Sequence, residues 1–279
     1  MTTAFQHTAT LNVDGCRLAY SRDGAGSPVV LIQGVGVHGH GWRPQLDALL
    51  PRHTCLWFDN RGVGASQPAS RRVSVGQLAD DVIALLDAQE WSDAHIVGHS
   101  LGGLIAQRVA LQHPSRVRSL ALLCTFARGR DAGANARMAW IGLRSRVGPR
   151  TMRRAAFLEI LAAPGAIPAN DRQRVAEDLA PLFGHDLADH SPVEMQQLSA
   201  MRAEDTTKEL PQLAGIPTLV VSGAHDPIAP PRLGRQIAAG IPGAQYEELA
   251  DQSHGAPIMA AATINALLSA HLDATDSTR

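Results

Sequence analysis

The chain carries short apolar runs that do not alternate with polar residues, and these limit its fold more than any other feature. The first is Val29-Val30-Leu31-Ile32. A strand with one face in water reads apolar, polar, apolar, so an unbroken run describes a strand covered on both faces. Residues 55–58, 95–97, 117–123 and 217–221 repeat the pattern. Between the first four runs lie segments of helical spacing: residues 43–50, then 75–90, then 101–112. In the second of these Leu78, Val82, Leu85 and Leu86 share one stripe, and Ser74 stands where an N-cap belongs. This alternation predicts an α/β fold, a mostly parallel sheet flanked by helices. Two shorter strands, at 11–13 and 16–21, precede it and join at Asp14-Gly15, a hairpin turn pair.

The alternation stops near Thr125. Residues 126–210 are rich in Ala and Arg, helical in pattern, and hold no convincing strand. It resumes at residue 217, with a helix from about 232, a strand at 246–249 and a final helix at 256–271. The expected organisation is an α/β core of residues 1–125 and 211–279, with a helical cap of residues 126–210 inserted after the sixth strand. A length of 279 residues exceeds the usual prior of roughly 100–200 for one domain, but α/β folds often run longer as one unit. A formal charge of −1 and a pI near 6.9 give no electrostatic case for nucleic acid or an anionic membrane surface. No stretch approaches the roughly 20 apolar residues of a membrane span. The first ten residues lack the basic start and apolar core of a signal peptide. The expectation is a soluble cytoplasmic protein. Cys16, Cys55 and Cys124 are too far apart for a C-x-x-C pair and odd in number, which points away from a disulfide framework or a zinc site. Cys55 and Cys124, in apolar runs, are expected to be buried thiols.

Gly98-His99-Ser100-Leu101-Gly102 fits G-x-S-x-G between a predicted strand and a predicted helix, the context of a nucleophile elbow. Small neighbours let the two backbones close around a strained serine, and the following helix start favours developing negative charge beside it. A serine hydroxyl needs a base to take its proton, and the base needs a carboxylate to orient it. Asp226 lies in the loop that ends the run at 217–221, and His254 lies between the last strand and the last helix. His225 is the rival base and Asp251 the rival acid.

At these three loops the chain resembles the α/β-hydrolase superfamily. G-H-S-L-G-G, S-G-A-H-D-P-I and S-H-G-A-P look like that family's nucleophile, acid and histidine loops, and the resemblance covers nearly the whole chain. It implies Ser100, Asp226 and His254 as the catalytic triad, in the family's chain order. It also implies an oxyanion hole made by the backbone N–H of Leu101 and of Val35. Relatives usually carry His-Gly where this chain has Gln33-Gly34, so support for that loop is expected from the Gln33 amide or from His38 or His40 folding back. D-N-R-G-V-G-A-S at 59–66 resembles the family's D-x-R-G-x-G-x-S loop, with Asp59 and Arg61 as structuring residues. The nucleophile position holds serine and not aspartate, which argues against the dehalogenase and epoxide-hydrolase branches.

The same loop supports a reading of another class. Gly34, Gly36 and Gly39 follow a strand, and Asp59 ends the next one, 20 residues after Gly39, as in a dinucleotide-binding fingerprint of an NAD-dependent oxidoreductase. That reading leaves the Ser100, Asp226 and His254 loops without a purpose. A non-catalytic binding protein on the hydrolase scaffold is a third class. The expected function is a cofactor-independent, metal-free serine hydrolase that cleaves an apolar carboxylic ester or lactone through an acyl-enzyme. C–C bond hydrolysis, thioester hydrolysis, acyl transfer and perhydrolysis are alternatives on the same triad. Met138, Trp140 and Met201 are expected to line the substrate pocket. Eight arginines between Arg128 and Arg154, with only Asp131 nearby, are expected on a solvated helix face. The sequence leaves the oligomeric state open.

Overall fold

The computed structural model describes residues 7–68 and 73–278. The N-terminal stretch read as lacking a signal peptide falls mostly outside them. Eight strands form one sheet: β1 (Ala9–Val13), β2 (Cys16–Gly24), β3 (Ser27–Ile32), β4 (His53–Phe58), β5 (Ala94–His99), β6 (Val117–Leu123), β7 (Thr218–Gly223) and β8 (Gln245–Leu249), in the spatial order β1-β2-β4-β3-β5-β6-β7-β8. β1 pairs with β2, and β2 with β4, in antiparallel fashion; every pairing from β4 to β8 is parallel.

The non-alternating runs explain the layers. In β3, Val30 and Ile32 face one core, while Val29 and Leu31 face the other. The first core is closed by α2 (Val75–Ala88), α3 (Leu101–Gln112) and α8 (Pro231–Gly240), through residues such as Leu85, Leu104 and Leu233. The second is closed by α1 (Arg43–Leu49) and α10 (Ala261–Asp276), through Leu46, Leu49, Ile264 and Leu268. Burying both faces of the central strands is what a parallel sheet requires. Ser74 caps α2 as the sequence suggests, its hydroxyl accepting from Gln77 N–H at 3.1 Å.

Two elements differ from expectation. β2 runs on to Gly24 because it pairs along its outer half with β4. The single final helix is two: α9 (Ala256–Met259) and α10, separated at Ala260, whose φ of −125° and ψ of 41° are not helical. The break lets both pieces dock on α1. Gln45 Nε2 donates to the Pro257 carbonyl at 2.6 Å, and Asn265 Nδ2 donates to the Pro44 carbonyl at 2.8 Å.

Between β6 and β7 the chain leaves the sheet and forms α4 (Ala136–Arg146), α5 (Arg150–Leu161), α6 (Arg172–Phe183) and α7 (Glu194–Ala203). Several arginines of this segment are paired. Arg144 meets Glu159 at 3.0 Å, Arg146 meets Glu194 at 2.9 Å, and Arg150 and Arg154 reach Asp189 and Asp186 at 2.8 and 2.5 Å. These acids come from later turns of the insertion, which is why the local sequence offered only Asp131. Among the described residues no helix is long and apolar enough to cross a membrane.

Candidate active site

Ser100 sits between β5 and α3 with φ 54° and ψ −119°, a left-handed conformation unusual for a residue with a side chain. The turn closes this tightly because its flanks are bare. A side chain at Gly98 would run into the Gly102 carbonyl, and one at Gly102 into the Ile32 carbonyl. Thr125 Oγ1 donates to the Ser100 carbonyl at 2.6 Å, fixing the elbow from the end of β6.

Ser100 Oγ lies 3.0 Å from His254 Nε2, and His254 Nδ1 lies 2.8 Å from Asp226 Oδ2. All three residues are buried. An ionised carboxylate only accepts, so Nδ1 carries the proton and Nε2 presents its lone pair to the serine hydroxyl. Asp226 is itself held: Oδ1 accepts from the N–H groups of Ile228 and Ala229, each at 2.8 Å. Such a line can draw the proton from Ser100 and leave its oxygen nucleophilic. The rivals stay outside it, since both His225 and Asp251 are exposed.

His99 is a neighbour that sequence reasoning did not single out. Its Nε2 lies 2.9 Å from the His254 carbonyl and must donate, because a carbonyl only accepts. The two rings stand 4.9 Å apart. Burial, reinforced by His254, pushes His99 down to about 3. It stays neutral and holds the backbone of the histidine loop. The same loop is tied to α5: His254 N–H and Ser253 Oγ both donate to the Ile160 carbonyl, at 3.2 and 2.8 Å, and Gly255 N–H donates to the Leu161 carbonyl at 3.0 Å.

The loop after β3 runs beside the serine. A Cβ at Gly34 would lie 3.2 Å from Ser100 Cβ. Two side chains that the sequence did not point to fasten it. The Gln33 side chain faces the cavity, His38 packs against Gly184, and His40 stacks on His7 at 4.6 Å. Asn60 Nδ2 donates to the Gln33 carbonyl at 2.9 Å, and Gly36 N–H donates to Gln197 Oε1 at 2.8 Å. Asp59 accepts from Gly39 N–H at 2.8 Å and Ala65 N–H at 2.9 Å, and lies 3.1 Å from His7. Burial opposes its ionisation, but these contacts outweigh that and hold it below the usual carboxylate range. Asp59 is buried beneath these contacts and out of reach of a ribose, which removes the acidic member of the dinucleotide fingerprint. Arg61 is also structural: it is fully buried and bonds Asp81 through Nε at 3.0 Å and Nη2 at 2.5 Å.

A cavity of about 540 Å³ opens over Ser100 and His254. Its walls include Val35, Val37, Phe157, Leu161, Ile228 and Ile258, with Met138 and Met201 as the sequence suggests. Trp140 is a correction. It is 60% exposed and lines no part of the cavity. Met138, Gly142 and Ser145, four and three residues apart, share the inward stripe of α4, and two residues from Met138 a helix has turned Trp140 to the opposite side. Cys16, Cys55 and Cys124 are free thiols, and all are buried.

A family model of the α/β-hydrolase fold matches residues 27–260. The chain belongs to the α/β-hydrolase family. Within it, this hydrolase is 31% identical over 245 residues to a protein of Variovorax paradoxus provisionally named carbamate hydrolase RutD, a match spanning 86% of this chain and 89% of the relative. Among solved structures, the enol-lactonase of Burkholderia xenovorans superposes with a TM-score of 0.80 at 27% identity, over 95% of this chain and 100% of that one. The provisionally named non-heme bromoperoxidase BpoC of Mycobacterium tuberculosis superposes equally well, with a TM-score of 0.80 and 27% identity over 97% of this chain and 99% of that one.

Proposed function

We propose that this α/β-hydrolase is a cofactor-independent serine hydrolase that cleaves a carboxylic ester or lactone, with Ser100, His254 and Asp226 as its triad. The observation that carries this reading is the buried line from Ser100 through His254 to Asp226, at 3.0 and 2.8 Å, opening on a largely apolar cavity. Ser100 Oγ attacks the carbonyl carbon as His254 Nε2 takes its proton. Asp226 stabilises the imidazolium and keeps its orientation. The backbone N–H groups of Leu101 and Val35 receive the oxyanion, and removal of one such donor costs about 10²–10³ in rate in comparable sites. His254 returns the proton to the leaving alcohol, or to the ring-opened hydroxyl of a lactone. It then takes a proton from water as that water attacks the acyl-enzyme, and collapse of the second tetrahedral adduct restores Ser100. Helices α4–α7 cap the cavity and share its apolar lining with core residues such as Val35, Ile228 and Ile258, which suits a substrate with a substantial hydrocarbon part.

The names of the relatives widen the substrate question to carbamates, which the same groups would attack at the same carbon. A panel of carboxylic esters, lactones, thioesters and carbamates tests the reading directly. Turnover of esters or lactones, abolished in Ser100→Ala, is the expected result. Inertness toward the whole panel, or turnover that survives Ser100→Ala, contradicts it.

A further inference from the structure

We propose that Gln197, on the inserted helix α7, is a positioning residue that holds the oxyanion loop in its working shape, so that the insertion helps build the reaction centre as well as covering it. The inference rests on the serine-hydrolase reading above. Gln197 is fully buried, and its Oε1 accepts from Gly36 N–H at 2.8 Å across 161 residues of chain. The amide cannot be the other way round, because its NH₂ would then face an N–H. Its Nε2 finds no partner among the described residues. A buried amide that leaves its donors unmatched is an expensive way to fill space, and leucine or methionine would fill the same volume without that cost. Among the described residues the one hydrogen bond of the Gln197 side chain goes to the loop that runs beside Ser100.

That bond fixes the peptide immediately after the proposed donor. The N–H of Gly36 belongs to the peptide joining Val35 to Gly36, and Gly36 has φ +70°, the left-handed turn that reverses the loop. Pinning this peptide sets the orientation of its neighbour, the Gly34–Val35 peptide that carries the Val35 N–H. Farther along the loop His38 N–H donates to the Phe183 carbonyl of α6 at 3.4 Å, and the two ends are fastened by Asn60 on the Gln33 carbonyl and by Asp59 on Gly39 N–H. Both end anchors belong to the core. Gln197 is the side chain that reaches the peptide next to Val35, and it comes from the insertion.

The test is Gln197→Leu, which keeps the volume and removes the acceptor, beside Gln197→Glu, which keeps an acceptor oxygen. Each is assayed on an ester turned over by the wild type, with affinity measured for a trifluoromethyl ketone and for the free carboxylic acid product. A displaced oxyanion donor predicts kcat lower by about 10- to 100-fold in Gln197→Leu, with KM changed by less than about twofold. Affinity for the ketone, which Ser100 captures as an oxyanion adduct, falls in step with kcat, and affinity for the product acid is unchanged. Gln197→Glu recovers most of the loss. If Gln197→Leu does not fold, Gln197→Met carries the same expectations. A folded Gln197→Leu or Gln197→Met with wild-type kcat, or one that loses ketone and product affinity equally, overturns the proposal. Wild-type protein inert to the ketone and to every ester would instead overturn the serine-hydrolase reading beneath it.

Discussion

Asp226 gives the sharpest residue-scale expectation, because its two oxygens do different jobs. Oδ1 is held by the N–H groups of Ile228 and Ala229, and Oδ2 receives His254 Nδ1. Asp226→Asn keeps the first contacts and puts an NH₂ or an uncharged oxygen against the imidazole. The wrong tautomer is then favoured and the charged imidazolium loses its partner, so kcat should fall by about 10³–10⁴-fold with little change in stability, measured by steady-state kinetics and urea unfolding on the same sample. Met138 and Trp140 make a second pair. Met138→Ala enlarges the cavity and should raise KM for long-chain esters. Trp140→Ala, on the outer face of α4, should leave kcat/KM at the wild-type value and stability within about 0.5 kcal/mol. The sequence showed Ser100, Asp226 and His254 because each lies in a local pattern of small residues at a strand end. It could not show Gln197, His99 or Asn60 as supports, since each acts through a contact that no local spacing encodes. The expectation for Trp140 failed for a related reason: residue type alone does not say which stripe of a helix turns inward.

At the scale of elements, the insertion is fastened to the histidine loop, the acid loop and the loop after β3. α5 carbonyls hold the histidine loop, Asn135 at the start of α4 donates to the Pro227 carbonyl beside Asp226 at 2.8 Å, and α7 reaches the loop after β3. Asn135 also caps α4, accepting from Met138 N–H at 2.8 Å. Ser74→Ala, by contrast, removes only a cap on α2, far from this junction. It should cost about 1 kcal/mol in urea unfolding and leave turnover untouched; loss of activity at full stability would contradict the separation of the two roles. The strands and the α2 and α3 helices were legible because periodicity is a local signal. The break at Ala260 was not, since it arises where α9 and α10 meet α1, more than 200 residues earlier in the chain.

At the scale of the whole molecule, the histidines set how acid affects the fold. Burial pushes His95 down to about 4 and His99 to about 3, and it also lowers His38, His53 and His271. Below the ordinary histidine range the unfolded chain takes up protons that the folded one refuses. These groups therefore leave stability level above about pH 6.5 and erode it as pH falls toward 4, at up to about 1.4 kcal/mol per pH unit for each silent imidazole. His95 and His99 together predict a loss of about 4 kcal/mol between pH 7 and pH 5 in urea unfolding. Equal stability at the two pH values would show that these rings titrate freely. The folded whole also makes the site, for Ser100 and His254 stand 154 residues apart in sequence and meet only when the sheet is complete. The most direct measurement is fluorophosphonate labelling of the native protein followed by peptide mass spectrometry. A single stoichiometric adduct on Ser100, absent after denaturation and absent in Ser100→Ala, is the predicted result. An adduct on another residue, or no adduct on a protein that still turns over esters, would contradict Ser100 as the nucleophile.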